Sequence, residues 1–169
     1  GQLYFPKEKR AVTNEQMKHA IITGNKRNVR HMLYAPGNIA GISGIRYTAR
    51  KIKKWRDRLG LEKSRSYLAQ LVRMQEEIGT GGGGFRFIYA AFLQQAHTYF
   101  PVDELMDISK QFTKAGDMWR DAAIQASGIY KGRLTEQQDY DVMGDKLLAI
   151  AALEKEAFRN LGDTVKKLH

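Results

Sequence analysis

A chain of 169 residues with 43% apolar and 27% charged residues is long enough for one packed domain and ordinary for a globular protein. It contains no cysteine, which excludes disulfides, thiolate metal sites and a cysteine nucleophile within these residues and is compatible with the cytoplasmic location we expect. No apolar run approaches the ~20 residues that cross a bilayer, and the net charge of +10 favours anionic partners: nucleic acid, a membrane surface or an acidic protein.

That charge is concentrated at the front. Residues 1–60 carry fourteen Lys or Arg against Glu8, Glu15 and Asp57, an excess of eleven, whereas the balance from residue 87 onward is slightly negative. The chain opens on Gly1 rather than Met, as a processed or excised domain would.

"TNEQ", Thr13 to Gln16, has the spacing of a capping box and predicts a first helix to about Thr23, burying Met17, Ala20 and Ile21. A second short helix would hold Val29, Met32 and Leu33, stopped by Pro36-Gly37. Gly41 and Gly44 then precede Ile45, Ala49, Ile52, Trp55 and Leu59 at helical spacing. At ~100° per residue those five share one side, and Arg46, Arg50, Lys51, Lys53, Lys54 and Arg58 share the other. Arg56 projects nearer the apolar side, where a carboxylate would pair with it, and Gly60 reads as a C′ stop.

Ser64 reads as the cap of a further helix burying Tyr67, Leu68, Leu71 and Ile78, with Met74 or Gln75 between. It ends at five glycines in the six positions Gly79 to Gly84. The next helix is expected to bury Phe85, Ile88, Tyr89, Phe92, Ala96 and Tyr99. Pro101 fits the first turn of its successor, which carries Leu105, Ile108, Phe112, Ala115 and Trp119 inward to about Ser127. Thr135 with Gln138 repeats the capping pattern before a long last helix through Tyr140, Leu147, Ile150, Ala157, Leu161 and Val165. Sustained period-two alternation is missing, so the fold class is all-α: a single bundle-like domain of six or seven helices over 1–169.

The glycine run has two readings. It is a helix–helix connector with Gly79 in a left-handed conformation, or it is an anion cradle. In the second, the main-chain N–H groups of Thr80, Gly81, Gly82, Gly83 and Gly84, the positive end of the next helix and Arg86 receive a phosphate or carboxylate. Arg86, Ala90 and His97 would then lie along one stripe for the rest of that ligand. A nucleotide P-loop fails: Phe85 and Arg86 follow Gly84 in place of Lys and Ser or Thr, and a helix rather than a strand precedes.

Other chemistry is sparse. His19, His31, His97 and His169 lack metal-ligand spacing, Asp139, Asp141 and Asp145 lack the Gly and terminal Glu of a calcium loop, and no serine sits in a nucleophile elbow. No metal site and no self-contained catalytic set is expected. The one-sided basic face of residues 46–58 suits an acidic protein through complementary charge or nucleic acid through phosphate contacts.

"GTGGGGFRFIYAAFLQQA", residues 79–96, resembles the glycine-rich Phe-Arg core of a helical domain of unknown function. That domain follows a part like the N-terminal domain of butirosin biosynthesis protein H. "GISGIRYTARKIKKW" at 41–55 and "AGDMWRDAA" at 115–123 resemble its other segments. The resemblance implies the C-terminal part of a two-domain bacterial acyltransferase of secondary-metabolite biosynthesis. There an aminoacyl group moves from an acyl carrier protein to an amine, and the nucleophile is a cysteine of the N-terminal part. This chain has no such cysteine, so the implied role is an accessory one. It would recognise an acidic carrier protein or a covalently linked catalytic domain, with phosphopantetheine brought by the carrier and no cofactor of its own. A nucleic-acid-binding module and a purely structural or oligomerisation domain are the alternatives.

Overall fold

A computed structural model describes residues 11–79 and 81–168. Six helices follow in order: α1 Asn14–Leu33, α2 Gly41–Ile52, α3 Trp55–Val72, α4 Arg86–Tyr99, α5 Asp103–Tyr130 and α6 Gln137–Lys167. A π-turn over Arg73–Glu77 and a 3-10 turn over Gly83–Phe85 flank the glycine run, and the described residues contain no strand. The all-α expectation is met in one domain.

The two longest helices, α5 and α6, form a hairpin at the centre; α3 and α4 pack on α5, and α1 and α2 pack on α6. Two apolar clusters lie along that hairpin. One gathers Ile21, Leu93, Phe112, Phe158 and Leu161, and the other gathers Ile52, Leu68, Trp119, Tyr140 and Leu147. The inward stripes expected on α5 and α6 are all buried, because an amphipathic helix is stable here only through the face it hides.

Thr13 caps α1 as expected: its Oγ1 accepts from the Gln16 N–H, and the Gln16 side chain accepts from the Thr13 N–H. The expected break near Thr23 is absent. Gly24 costs a helix interior about 1 kcal/mol. Burying Ile21 and half-burying Val29 and Met32 returns about 1.5–3 kcal/mol for each fully buried side chain, so packing wins.

The single helix expected over 45–59 is two. Gln137 Nε2 donates to the Lys53 carbonyl at 2.7 Å and Arg56 Nε donates to the Thr135 carbonyl at 2.7 Å. These long-range bonds take up an orphan carbonyl at the end of α2 and pin the start of α3. Gly60 does leave helical geometry, at φ 75°, but the helix resumes beyond it. Ser64 is a buried partner of the Tyr140 hydroxyl at 2.7 Å rather than a cap. Pro101 precedes α5, and the last helix is capped by Glu136 with Asp139, one residue after the expected Thr135.

Candidate functional site

The glycine run is folded tightly against the domain. Gly81, Gly82, Gly83 and Gly84 have φ of 66°, 80°, 55° and 53°, in the left-handed region glycine alone enters cheaply, and Phe85 follows at 71°. Gly79 also has positive φ, 63°, as the connector reading requires. Gly82, Gly83 and Gly84 are buried. A Cβ on Gly83 would lie 2.9 Å from Gly116 Cα on α5 and 3.0 Å from the Phe87 ring. The run thus lets two stretches of main chain touch.

The chain supplies its own anion there. The Gly83 N–H donates to Glu76 Oε1 at 3.0 Å, and Arg120 stands 4.0 Å from the same carboxylate while stacking on Phe87. Arg86, expected outside as a ligand group, turns inward. Its Nε and Nη2 donate to the two oxygens of Glu154 at 2.7 and 3.0 Å, and its Nη1 donates to the Gly84 carbonyl at 2.6 Å. Trp119 Nε1 donates to the same Glu154 at 2.7 Å. Glu154 is 0% exposed and the Arg86 side chain 18%. The picture of an open cradle is corrected at two of its groups: internal carboxylates hold the Gly83 N–H and the Arg86 guanidinium.

Glu154 is the residue the sequence reading missed. Its signal was present, since it interrupts the apolar stripe Leu147, Ile150, Ala157, Leu161 of α6 at the position where an apolar residue belongs. Turning Arg86 inward rotates α4, so Ala90 and Leu93 join the expected Ala96 in the core, while Phe85 and Ile88, expected inside, are 55% and 53% exposed. Met74 and Ile78 are exposed as well. Beside the run lies a cavity of about 330 Å³ walled by Gly84, Phe85, Arg86, Tyr89, Phe112 and Phe158. His97 sits in the last turn of α4, half-buried, and does not line it. Thr80 and His169 lie outside the described residues.

Tyr89 closes the inner wall of this region. Its hydroxyl donates to Oδ1 of the buried Asn25 at 2.6 Å, and Asn25 Nδ2 donates to the Ile21 carbonyl at 2.9 Å. Burial pushes the Tyr89 hydroxyl up to about 12, against a smaller opposing effect of the Asn28 amide.

The cations of residues 46–58 differ in how far the fold engages them. Arg46, Arg50, Lys54 and Arg58 are exposed and make no ion pair with a described residue. Lys51 lies over the Tyr47 ring at 5.1 Å. Lys53 is tied to Asp145 on α6 at 2.5 Å, so it is structural rather than free. Arg56 faces Asp57 and Glu136 at 3.8 and 4.0 Å. A second cavity, of about 320 Å³, opens on this side and is lined by Arg46, Tyr47 and Arg50 of α2 with Lys155 of α6. Among the described residues no group of three or more His, Asp or Glu is placed to hold a metal, and no helix is long and apolar enough to cross a membrane.

Among protein-family models, one described as a domain of unknown function (DUF4872) matches residues 1–161. No curated protein and no solved structure matches.

Proposed function

We propose, on the premise that the chain belongs to the DUF4872 family, that this helical domain is the recognition part of a butirosin-H-like acyltransferase and docks an acidic acyl carrier protein. The observation that carries the reading is the row of exposed cations Arg46, Arg50, Lys54 and Arg58, whose charges no described carboxylate takes. Unneutralised charge on one side of a protein steers an oppositely charged partner and accelerates encounter. An amine acceptor, cationic at neutral pH, would be repelled from the same face, which makes the acyl donor, not the acceptor, its partner.

Two features favour an acidic protein over a nucleic acid. Asp57, Asp145 and Glu136 punctuate the cationic surface, which breaks the continuous phosphate track a polyanion needs. The local aromatics already have partners in the fold: Trp55 packs edge-on against Tyr67 with centroids 5.5 Å apart, and Lys51 lies over the Tyr47 ring, which leaves them poorly placed to stack successive bases. Catalysis itself would rest with a linked cysteine-bearing domain, because the described residues offer binding groups and no nucleophile–base pair.

The test is association kinetics of this chain with a phosphopantetheine-bearing acyl carrier protein, beside random duplex DNA, at low and high salt. Fast carrier binding that slows with salt supports the reading. Preferential binding of the DNA assigns the face to nucleic acid, and binding of neither leaves a structural domain.

A further inference from the structure

We propose that the cleft between α2, the connection that precedes it and α6 is a site for a phosphate group. The assignment goes beyond carrier-protein docking, because it concerns a small anion held by side chains that converge on one concavity.

Three elements build the cleft. Arg46 and Arg50 stand one helical turn apart on α2, so their guanidinium groups share a face. Lys155 comes from α6, 105 residues further along the chain than Arg50, and is brought alongside because α2 packs closely on α6. That approach is intimate: a Cβ on Gly144 of α6 would lie 2.8 Å from the Ala49 carbonyl of α2. Asn38, in the connection, and Tyr47 add an amide and a hydroxyl to the wall.

The two glycines that opened the α2 segment in the sequence now have a reason. Gly41 has φ 57°, and a Cβ there would lie 2.5 Å from the Met32 carbonyl; a Cβ on Gly44 would lie 2.8 Å from the Ile39 carbonyl. Both let the connection fold back across the start of α2 and stand as the rim of the cleft beside Asn38.

The cleft has no acid of its own. None of its lining residues is Asp or Glu, and Arg46, Arg50 and Lys155 make no ion pair with a described residue. The contrast is with Arg86, for which the same fold supplies the buried Glu154. Holding three like charges around one hollow is unfavourable unless an anion relieves it. Two planar guanidinium forks and one ammonium match several oxygens of a tetrahedral dianion better than the two of a carboxylate.

The experiment is titration calorimetry on the full chain at constant ionic strength, set with chloride, using inorganic phosphate, methyl phosphate and dimethyl phosphate. We expect inorganic phosphate and methyl phosphate to bind at one site and the singly charged diester to bind more weakly. Tighter binding of methyl phosphate assigns the cleft to an organic phosphomonoester, and equal binding assigns it to the free ion. Arg46→Gln and Lys155→Gln should each weaken binding roughly tenfold, as loss of a charged hydrogen-bond donor does. Arg58→Gln, on the basic face but outside the cleft, should leave it unchanged. Parent-like affinity in both cleft variants, or an equal loss in Arg58→Gln, overturns the site, and circular dichroism of each variant excludes misfolding as the cause.

Discussion

The guanidinium of Arg86 and the carboxylate of Glu154 meet side-on through two hydrogen bonds of 2.7 and 3.0 Å, one at the start of α4 and the other in the middle of α6. The Trp119 indole completes the carboxylate at 2.7 Å, and the Arg86 guanidinium lies 5.1 Å over the Trp119 ring. The pair locks α4, α5 and α6 to one another and decides which face of α4 is inside.

Breaking that pair from one side leaves a charge in an apolar interior. Glu154→Leu should destabilise the domain by about 3–5 kcal/mol, and Arg86→Met by a similar amount. Arg86→Met with Glu154→Leu together should cost clearly less than the sum of the single changes, because no orphan charge remains. Urea unfolding followed by tryptophan fluorescence measures all three; additive losses would mean that the two residues act independently.

The glycine run should be intolerant where Gly24 is not. Gly83→Ala sets a methyl against Gly116 and Phe87 in a positive-φ conformation, and a loss of about 2–3 kcal/mol or more is expected from strain and overpacking. Gly24→Ala meets nothing within 4 Å inside α1 and should stabilise by about 0.5–1 kcal/mol. Melting temperatures of the two variants should therefore move in opposite directions, and a neutral Gly83→Ala would show that the approach of the run to α5 is dispensable.

Tyr89 gives a pH signature. Its hydroxyl is raised to about 12 in the folded chain by burial, whereas an unfolded tyrosine titrates near 10. Above pH 10 the unfolded chain therefore releases a proton that the native one retains. Stability contributed by this group is complete below pH 10 and is lost as pH rises toward 12, by on the order of 2 kcal/mol. Tyr89→Phe should flatten that slope while costing about 1–3 kcal/mol at neutral pH, since Asn25 Oδ1 loses its buried donor. Denaturant titrations at pH 8, 10 and 11 compare the slopes; identical slopes would remove Tyr89 as their source.

On the basic face, Lys54→Glu with Arg58→Glu should slow carrier-protein association about tenfold or more at low salt and change dissociation little, the pattern of rim charges. Lys53→Glu should instead lower stability, because Lys53 is held by Asp145. Stopped-flow rates that ignore both salt and the Lys54–Arg58 reversal would take docking away from this surface.

The reading from sequence worked where local chemistry is self-sufficient. The Thr13 capping box closes within four residues, and the inward stripes of α5 and α6 follow from helical periodicity and apolar identity alone. Charge asymmetry was equally legible, being a count. Wherever a long-range partner outbids a local preference, the sequence was silent: Gln137 ends α2, Tyr140 takes Ser64 from its expected capping place, and Glu154 draws Arg86 inward and turns α4 about its axis.

The amino-acid order by itself determined an all-helical chain, the inner faces of its two longest helices, and a cationic front half, because each depends on residue type and spacing. Only the tertiary structure decided which charges are spent inside and which remain for a partner. A guanidinium expresses its fate through the carboxylate it meets across the fold, and Glu154 lies 68 residues from Arg86 while no described carboxylate meets Arg46 or Arg50.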